Sequence, residues 1–212
     1  GEGSEPAARK DVARIVRALN PTARVTWTDE DTLAVGTEAG DARFDLNAAK
    51  ERGELDDVLR GTDRRTADGV SQFVFSAREP FHAERLHAWL EAAPAGLIRA
   101  RGGFWVATRP HVAAALDVAM GDVRTDMQGH WWAAVPEADR PTGPQWDAYL
   151  SQVWHPTFGD RRQELAFVGI DLDEAAIQSS LRECLLTAAE LTGPTSWSEE
   201  RHPFSWPREG AR

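Results

Sequence analysis

The chain has 212 residues, enough for one domain or two small ones, and its scarce residue types set the first limits. One cysteine, Cys184, excludes an internal disulfide and any multi-cysteine zinc or iron–sulfur site. The two lysines, Lys10 and Lys50, lie outside any Gly-Lys-Ser/Thr element, so a self-sufficient phosphate-loop hydrolase is excluded. A net charge of -10 argues against a nucleic-acid binder that works through a general basic field.

No run of about eighteen apolar residues exists to span a membrane. The opening Gly1-Glu2-Gly3-Ser4-Glu5 lacks the basic and apolar regions of an export signal. With the unpaired thiol, this predicts a cytoplasmic protein. Val12, Ile15, Val16 and Leu19 at i, i+3, i+4 and i+7 predict a helix over 11–20 that stops at Pro21. A short strand is expected over 25–28, another around Leu33 to Val35, and a second helix from about Leu46 to Leu59. The polar stretch 61–69, with glycine at both ends, reads as a linker.

Strand formers fill 71–77, and a helix opens near Pro80 and His82 with Leu86, Trp89 and Leu90 on one face. Leu97 to Ala107 reads as a strand interrupted at Gly102-Gly103. Val112, Ala115, Leu116 and Ala119 then predict a short helix, and 123–127 and 131–135 a hairpin about Gln128-Gly129-His130. An insertion over 136–161 carries Trp146, Tyr149, Leu150, Val153 and Trp154 at helical spacing. Glu164 to Ile170 predicts a strand, and Asp173 caps a helix with Ile177, Leu181, Cys184 and Leu185 on one stripe. An irregular tail follows, with Trp197, Phe204 and Trp206. The fold class is α+β: a mostly antiparallel sheet with helices on one face, a ferredoxin-like split β-α-β with an insertion. A small α/β piece precedes it, and its own strands are too few to make a sheet.

From Ser71 onward the residues carry a resemblance. Ser71-Gln-Phe-Val-Phe-Ser-Ala-Arg-Glu-Pro-Phe-His82 resembles the opening of the C-terminal domain of the CobW-type GTPases. So do Leu97-Ile-Arg-Ala-Arg-Gly-Gly-Phe-Trp105, Gly129-His-Trp-Trp132, Gly159-Asp-Arg-Arg-Gln-Glu-Leu165, Phe167-Val-Gly169 and Cys184-Leu-Leu-Thr187, in that order. Leu19-Asn-Pro-Thr-Ala23 is similar to the last edge of that family's GTPase domain, and Arg43-Phe-Asp-Leu46 to the connector after it. The resemblance implies residues 1–60 as a remnant of the GTPase domain, 61–70 as a linker and 71–212 as the C-terminal domain. It also implies a metallochaperone system for zinc, cobalt or related ions that uses GTP and Mg2+. The family's phosphate loop, its Cys-x-Cys-Cys metal motif and its Asn-Lys-x-Asp are absent from these residues.

The expectation is therefore a piece of a longer protein, not itself an enzyme and with no cofactor of its own. Its expected role is a docking or regulatory module for a GTPase domain, of the same or a partner chain, and for a metalloprotein client. A homo-oligomer is a further possibility. Two other classes remain open: a direct metal-binding or enzymatic domain, and a ferredoxin-like nucleic-acid module stacking bases on Phe104, Trp105, Trp131 and Trp132.

His82, at a helix start, suits either an orienting hydrogen bond or a metal ligand; His130 and His155 are the other metal candidates. Arg99 and Arg101 alternate on one strand, and with Arg161 and Arg162 they could form a basic groove for an anion or partner. The bland alternative for the last two is an ion-pair lattice with Asp160 and Glu164. Cys184, on the apolar stripe, reads as a small buried hydrophobe.

Overall fold

Where every second side chain faces inward, the chain builds one antiparallel sheet. The computed structural model describes residues 4–19, 25, 27, 64–65, 69–119, 121–192 and 202–206. Its strands are β1 (Arg64–Arg65), β2 (Val70–Ala77), β3 (Leu97–Phe104), β4 (Val112–Ala119), β5 (Asp122–His130) and β6 (Gln163–Ile170), in the order β1-β2-β6-β3-β4-β5. The helices are α1 (Ser4–Leu19), α2 (Ala83–Glu91), α3 (Pro144–Val153), α4 (Glu174–Cys184) and α5 (Ala188–Thr192). β2 and β3 flank β6, so β2-α2-β3 is the expected split unit, closed by β6 antiparallel to both.

The inner face is the core. Phe73, Phe75, Ala100, Phe104, Leu165 and Phe167 are fully buried, and Phe73 stacks on Phe167 with ring centres 5.1 Å apart. Leu86 and Leu90 of α2 and Ile177 and Leu181 of α4 close over that face. Each such side chain contributes about 2 kcal/mol by leaving water. Trp89 joins the two helices through Nε1, which donates to Ser180 Oγ at 2.8 Å. Asp173 caps α4 as expected, its Oδ1 accepting from the Ala176 amide at 3.0 Å. α5 begins with a capping box: Glu190 accepts from the Thr187 amide, and the Glu190 amide donates to Thr187 Oγ1. The Thr187 amide, with Arg85, holds the Glu190 carboxyl down at about 2.

Three expectations are corrected. Residues 112–119 form strand β4, not a helix: Val112, Ala114, Leu116 and Val118 are at most 2% exposed, a period of two. The alanine-rich sequence fits both periods, and two neighbouring strands decide for the sheet. The hairpin lies one turn earlier, where Ala119 pairs with Asp122 and Gly121 has φ +90°. Residues 131–135 do not return as a strand, because Trp132–Ala134 is a 3-10 turn. The expected linker also contains a strand, β1, which pairs Arg64 with Gln72.

α1 begins at Ser4, earlier than expected, and lies beside the start of β2 with Val12 exposed. The strands expected over 25–28 and 33–35 and the helix over 46–59 fall outside the described residues, except for Val25 and Trp27.

The glycine pair of β3 divides into two different sites. Gly102 has φ +154°, and a Cβ there would run into the Glu164 carbonyl of β6. Gly103 has nothing nearer than the Ala114 carbonyl at 4.0 Å. In urea unfolding, Gly102→Ala is expected to lose more than about 2 kcal/mol and Gly103→Ala less than about 1 kcal/mol. Equal losses would contradict the register of β3 against β6.

Candidate functional site

The family-like motifs meet at one end of the sheet, where β2, β3 and β6 end or begin. The Arg78-Glu79-Pro80-Phe81-His82 turn threads between two other segments. The Phe81 amide donates to the Trp105 carbonyl at 3.1 Å, and the Ala107 amide donates to the Phe81 carbonyl at 3.0 Å. On its other side the His82 amide donates to the Cys184 carbonyl at 2.8 Å, and the Leu186 amide to the Pro80 carbonyl at 2.9 Å. Phe81 is fully buried here between Phe75 and Phe104.

Gln163 locks this junction. It is 1% exposed; its Oε1 accepts from the Trp105 amide at 3.0 Å, while Nε2 donates to the carbonyls of Glu79 (2.8 Å) and Trp105 (3.0 Å). One side-chain amide thus satisfies three backbone groups of two separate motifs. Trp105 Nε1 donates to the Arg78 carbonyl, and the Arg78 guanidinium donates to the Val153 carbonyl at 2.8 Å, fastening the insertion to the same point. Asp160, 2% exposed, accepts from the Trp132 and Ala133 amides at 3.0 and 2.8 Å and so fixes the 3-10 turn.

The candidate arginines separate into two places. Arg161 donates through Nε to the Pro110 carbonyl at 2.6 Å and lies over the Trp105 ring, 5.5 Å from its centre; burial lowers its pKa. Arg162 pairs with Glu164 at 2.8 Å. Burial opposes its charge, but Glu164 and Tyr149 outweigh that and raise its pKa. Asp160 does not join this pair through its carboxylate, which is spent on the two amides. Arg99 and Arg101 lie on the outer sheet face and share Asp117 of β4, at 3.0 and 4.0 Å. Each of the four therefore already faces a carboxylate or carbonyl.

The histidines are placed apart along the fold. His82 is the N-cap residue of α2, with no side-chain capping hydrogen bond. His130 ends β5, its ring 5.7 Å from that of His111. His155 Nδ1 accepts from the Thr157 amide at 3.2 Å, and its ring stacks on Phe158 in a tight turn. Among the described residues, no three His, Cys, Asp or Glu side chains are grouped to hold a metal ion. Cys184 is 5% exposed, its Sγ donates to the Ser180 carbonyl, and burial pushes the thiol up to about 11, an unreactive setting.

Mounted on this junction is a group of partly exposed aromatics. Trp132 meets Trp146 edge to face at 4.7 Å, and Trp146 lies 5.6 Å from Tyr149. Tyr149 and Trp154 are each 39% exposed, with Arg140 stacked over Trp154 at 5.1 Å. Helix α3, which carries Trp146 and Tyr149 and ends just before Trp154, contributes no buried residue, so it presents side chains outward rather than filling the core. Of the tryptophans expected on strands, Trp105 and Trp131 are buried just beyond strand ends, and Trp132 lies in the 3-10 turn.

The tail segment 202–206, whose Trp206 the sequence offers as a pin for irregular chain on the core, lies as a strap against β3 and β5: Phe204 and Trp206 are each 7% exposed, stacked at 5.0 Å, and both meet Phe104. His202 sits against Trp206, with Nδ1 3.0 Å from Thr108 Oγ1.

These features define an α+β sheet domain whose ordered motifs tie its strands together at one end. The model of the cobalamin synthesis protein cobW C-terminal domain matches residues 70–185, more than half of the chain, and the chain belongs to that family. The zinc-regulated GTPase metalloprotein activator 1 of Dictyostelium discoideum is 30% identical over 188 residues, covering 86% of this chain and 39% of that protein. A zinc chaperone of Mycobacterium tuberculosis is 31% identical over 195 residues, covering 90% of this chain and 48% of that one. The chain thus spans less than half the length of these curated relatives. The crystal structure of the zinc-bound YjiA GTPase from E. coli matches 68% of this chain and 33% of that chain, at 15% identity and a TM-score of 0.38. No helix among the described residues is long and apolar enough to cross a membrane.

The strap carries a pH dependence. Burial, with Arg109 nearby, lowers the His202 pKa from 6.5 to about 4. The folded state therefore resists a proton that the unfolded chain accepts below about pH 6.5. The stabilisation is complete above pH 6.5 and is lost as the pH falls towards 4. Between those limits the melting temperature of the protein is expected to fall more steeply than that of His202→Gln. Parallel curves would contradict the assignment.

Proposed function

We propose that this chain is the non-catalytic partner- and client-docking module of a zinc or cobalt metallochaperone. GTP, Mg2+ and the thiolate metal site then belong to a GTPase domain of the same or a partner chain, with the metal ion as cargo. In this reading residues 71–212 form the docking domain, residues 61–70 join it to the rest, and residues 1–60 are the edge that meets the GTPase domain, in the cytoplasm.

The observation that carries the reading is the outward aromatic platform of Trp132, Trp146, Tyr149 and Trp154. Large, rigid aromatics give contact area at low entropy cost and are the commonest anchors of protein interfaces. Beneath them, Gln163, Asp160, Arg78 and Arg161 spend their polar groups on backbone partners, which favours a scaffold over a reaction centre.

Two measurements test it together. With Mg2+ and GTP the purified chain is expected to release phosphate at the buffer background. Changing Trp146 and Tyr149 together to Ala is expected to weaken binding of a GTPase domain or client by about tenfold or more, with melting unchanged. Chain-dependent turnover, or binding indifferent to both aromatics, would contradict the proposal. Micromolar zinc binding lost in His82→Ala or His130→Ala would instead favour a direct metal-binding domain.

A further inference from the structure

Among the described residues β5 is the last strand at its end of the sheet, and an outermost strand offers a row of backbone groups to another chain. The register of the β4-β5 hairpin says which groups these are. Ala119 and Asp122 flank a two-residue turn and form a hydrogen-bonded pair, so Arg124 and Asp126 also turn their backbone groups towards β4. Val123, Thr125 and Met127 therefore turn theirs towards the open side. A register shift between Ala113 and Ala114, opposite Gln128, confines this regular run to residues 122–127.

The side chains of that run are self-complementary. In a two-fold antiparallel pairing, residues on the same face must meet, so the axis passes through a residue rather than between two. With Thr125 on the axis, Arg124 lies opposite Asp126 of the second copy, twice over, on the outer face. Val123 then lies opposite Met127 on the inner face. Both already pack against the core, so the apolar layer would continue across the junction. The neighbouring registers do worse: an axis at Arg124 sets arginine against arginine, and one at Asp126 sets aspartate against aspartate. Arg124 currently pairs with Asp122 of its own strand at 2.7 Å, an exposed contact that exchange for Asp126 would cost little.

One contact stands in the way. Trp206 Nε1 donates to the Thr125 carbonyl at 3.2 Å and lies 3.1 Å from Thr125 Oγ1, at the centre of the open edge. The strap thus occupies the one backbone acceptor that a pairing about Thr125 needs first.

We propose that β5 is a self-pairing edge on which a second copy of this chain docks antiparallel about Thr125, and that the C-terminal strap restrains this docking through Trp206. The inference is independent of the docking role given to the α3 platform, because it uses neither those aromatics nor a GTPase domain.

Sedimentation equilibrium of four proteins tests it: the unaltered chain, Trp206→Phe, Trp206→Phe with Arg124→Asp, and Trp206→Phe with both Arg124→Asp and Asp126→Arg. Trp206→Phe keeps a ring on Phe204 and removes the N–H donor. It is expected to tighten dimerisation about tenfold or more. Arg124→Asp should reverse that gain, and adding Asp126→Arg should restore it. Should Trp206→Phe fail to fold, Arg124→Asp alone is expected to weaken the self-association of the otherwise unaltered chain, and adding Asp126→Arg to restore it. Unchanged association on loss of the indole contact, or association that ignores the charge reversal and its restoration, would overturn the proposal.

Discussion

The side-chain amide of Gln163 is the interaction on which the rest of the domain depends. It lies in the interior at the start of β6 and satisfies the amide and carbonyl of Trp105 and the carbonyl of Glu79. A buried backbone group left without a partner costs roughly 1–3 kcal/mol, so losing this one side chain would strand the Trp105 amide and the Glu79 carbonyl, while the Trp105 carbonyl would keep only the Phe81 amide. Its position also fixes geometry. Trp105 follows β3 and Glu79 follows β2, and β6 runs between those strands, so Gln163 sets how far the two outer strands extend beyond the middle one.

Everything with an outward role is built on that junction. The Phe81 turn, held between Trp105 and Cys184, delivers the chain into α2 and so closes the inner face. Arg78 and Asp160 attach the insertion to the same end, one through the Val153 carbonyl and the other through the amides that begin the 3-10 turn. The aromatics of α3 consequently stand on a rigid base although α3 itself buries nothing. Next to the junction the strap covers Phe104 and the β5 edge with two aromatic rings. The family match over residues 70–185 spans the segments that make the junction, and the outward surfaces carry the proposed functions.

How much of this was legible varied with the physics involved. The split β-α-β plan, α4 with its Asp173 cap and the α3 period could all be read, because each rests on a local pattern that packing reinforces. β4 could not be assigned by period: its alanines satisfy helix and strand alike, and only strands on both sides settle the matter. The misplaced hairpin follows from that error. Arg161 and Arg162 are visible as a dense polar motif, and the Arg162–Glu164 pair is part of the ion-pair alternative read there, but the Pro110 carbonyl that holds Arg161 lies on a different segment. The role of Gln163 left no sequence signal beyond its identity, since it uses backbone atoms; Trp206 could be read as a pin for the tail, but not its contact with the distant β5 edge.

The most direct test of the central claim is native-state hydrogen exchange at the amides of Phe81, Trp105, Ala107 and Leu186. If Gln163 and the Phe81 turn form one locked junction, these amides exchange only through global unfolding, with the same opening free energy as the core amides of β6. Exchange through a local opening well below that value would show that the junction follows the fold rather than holding it.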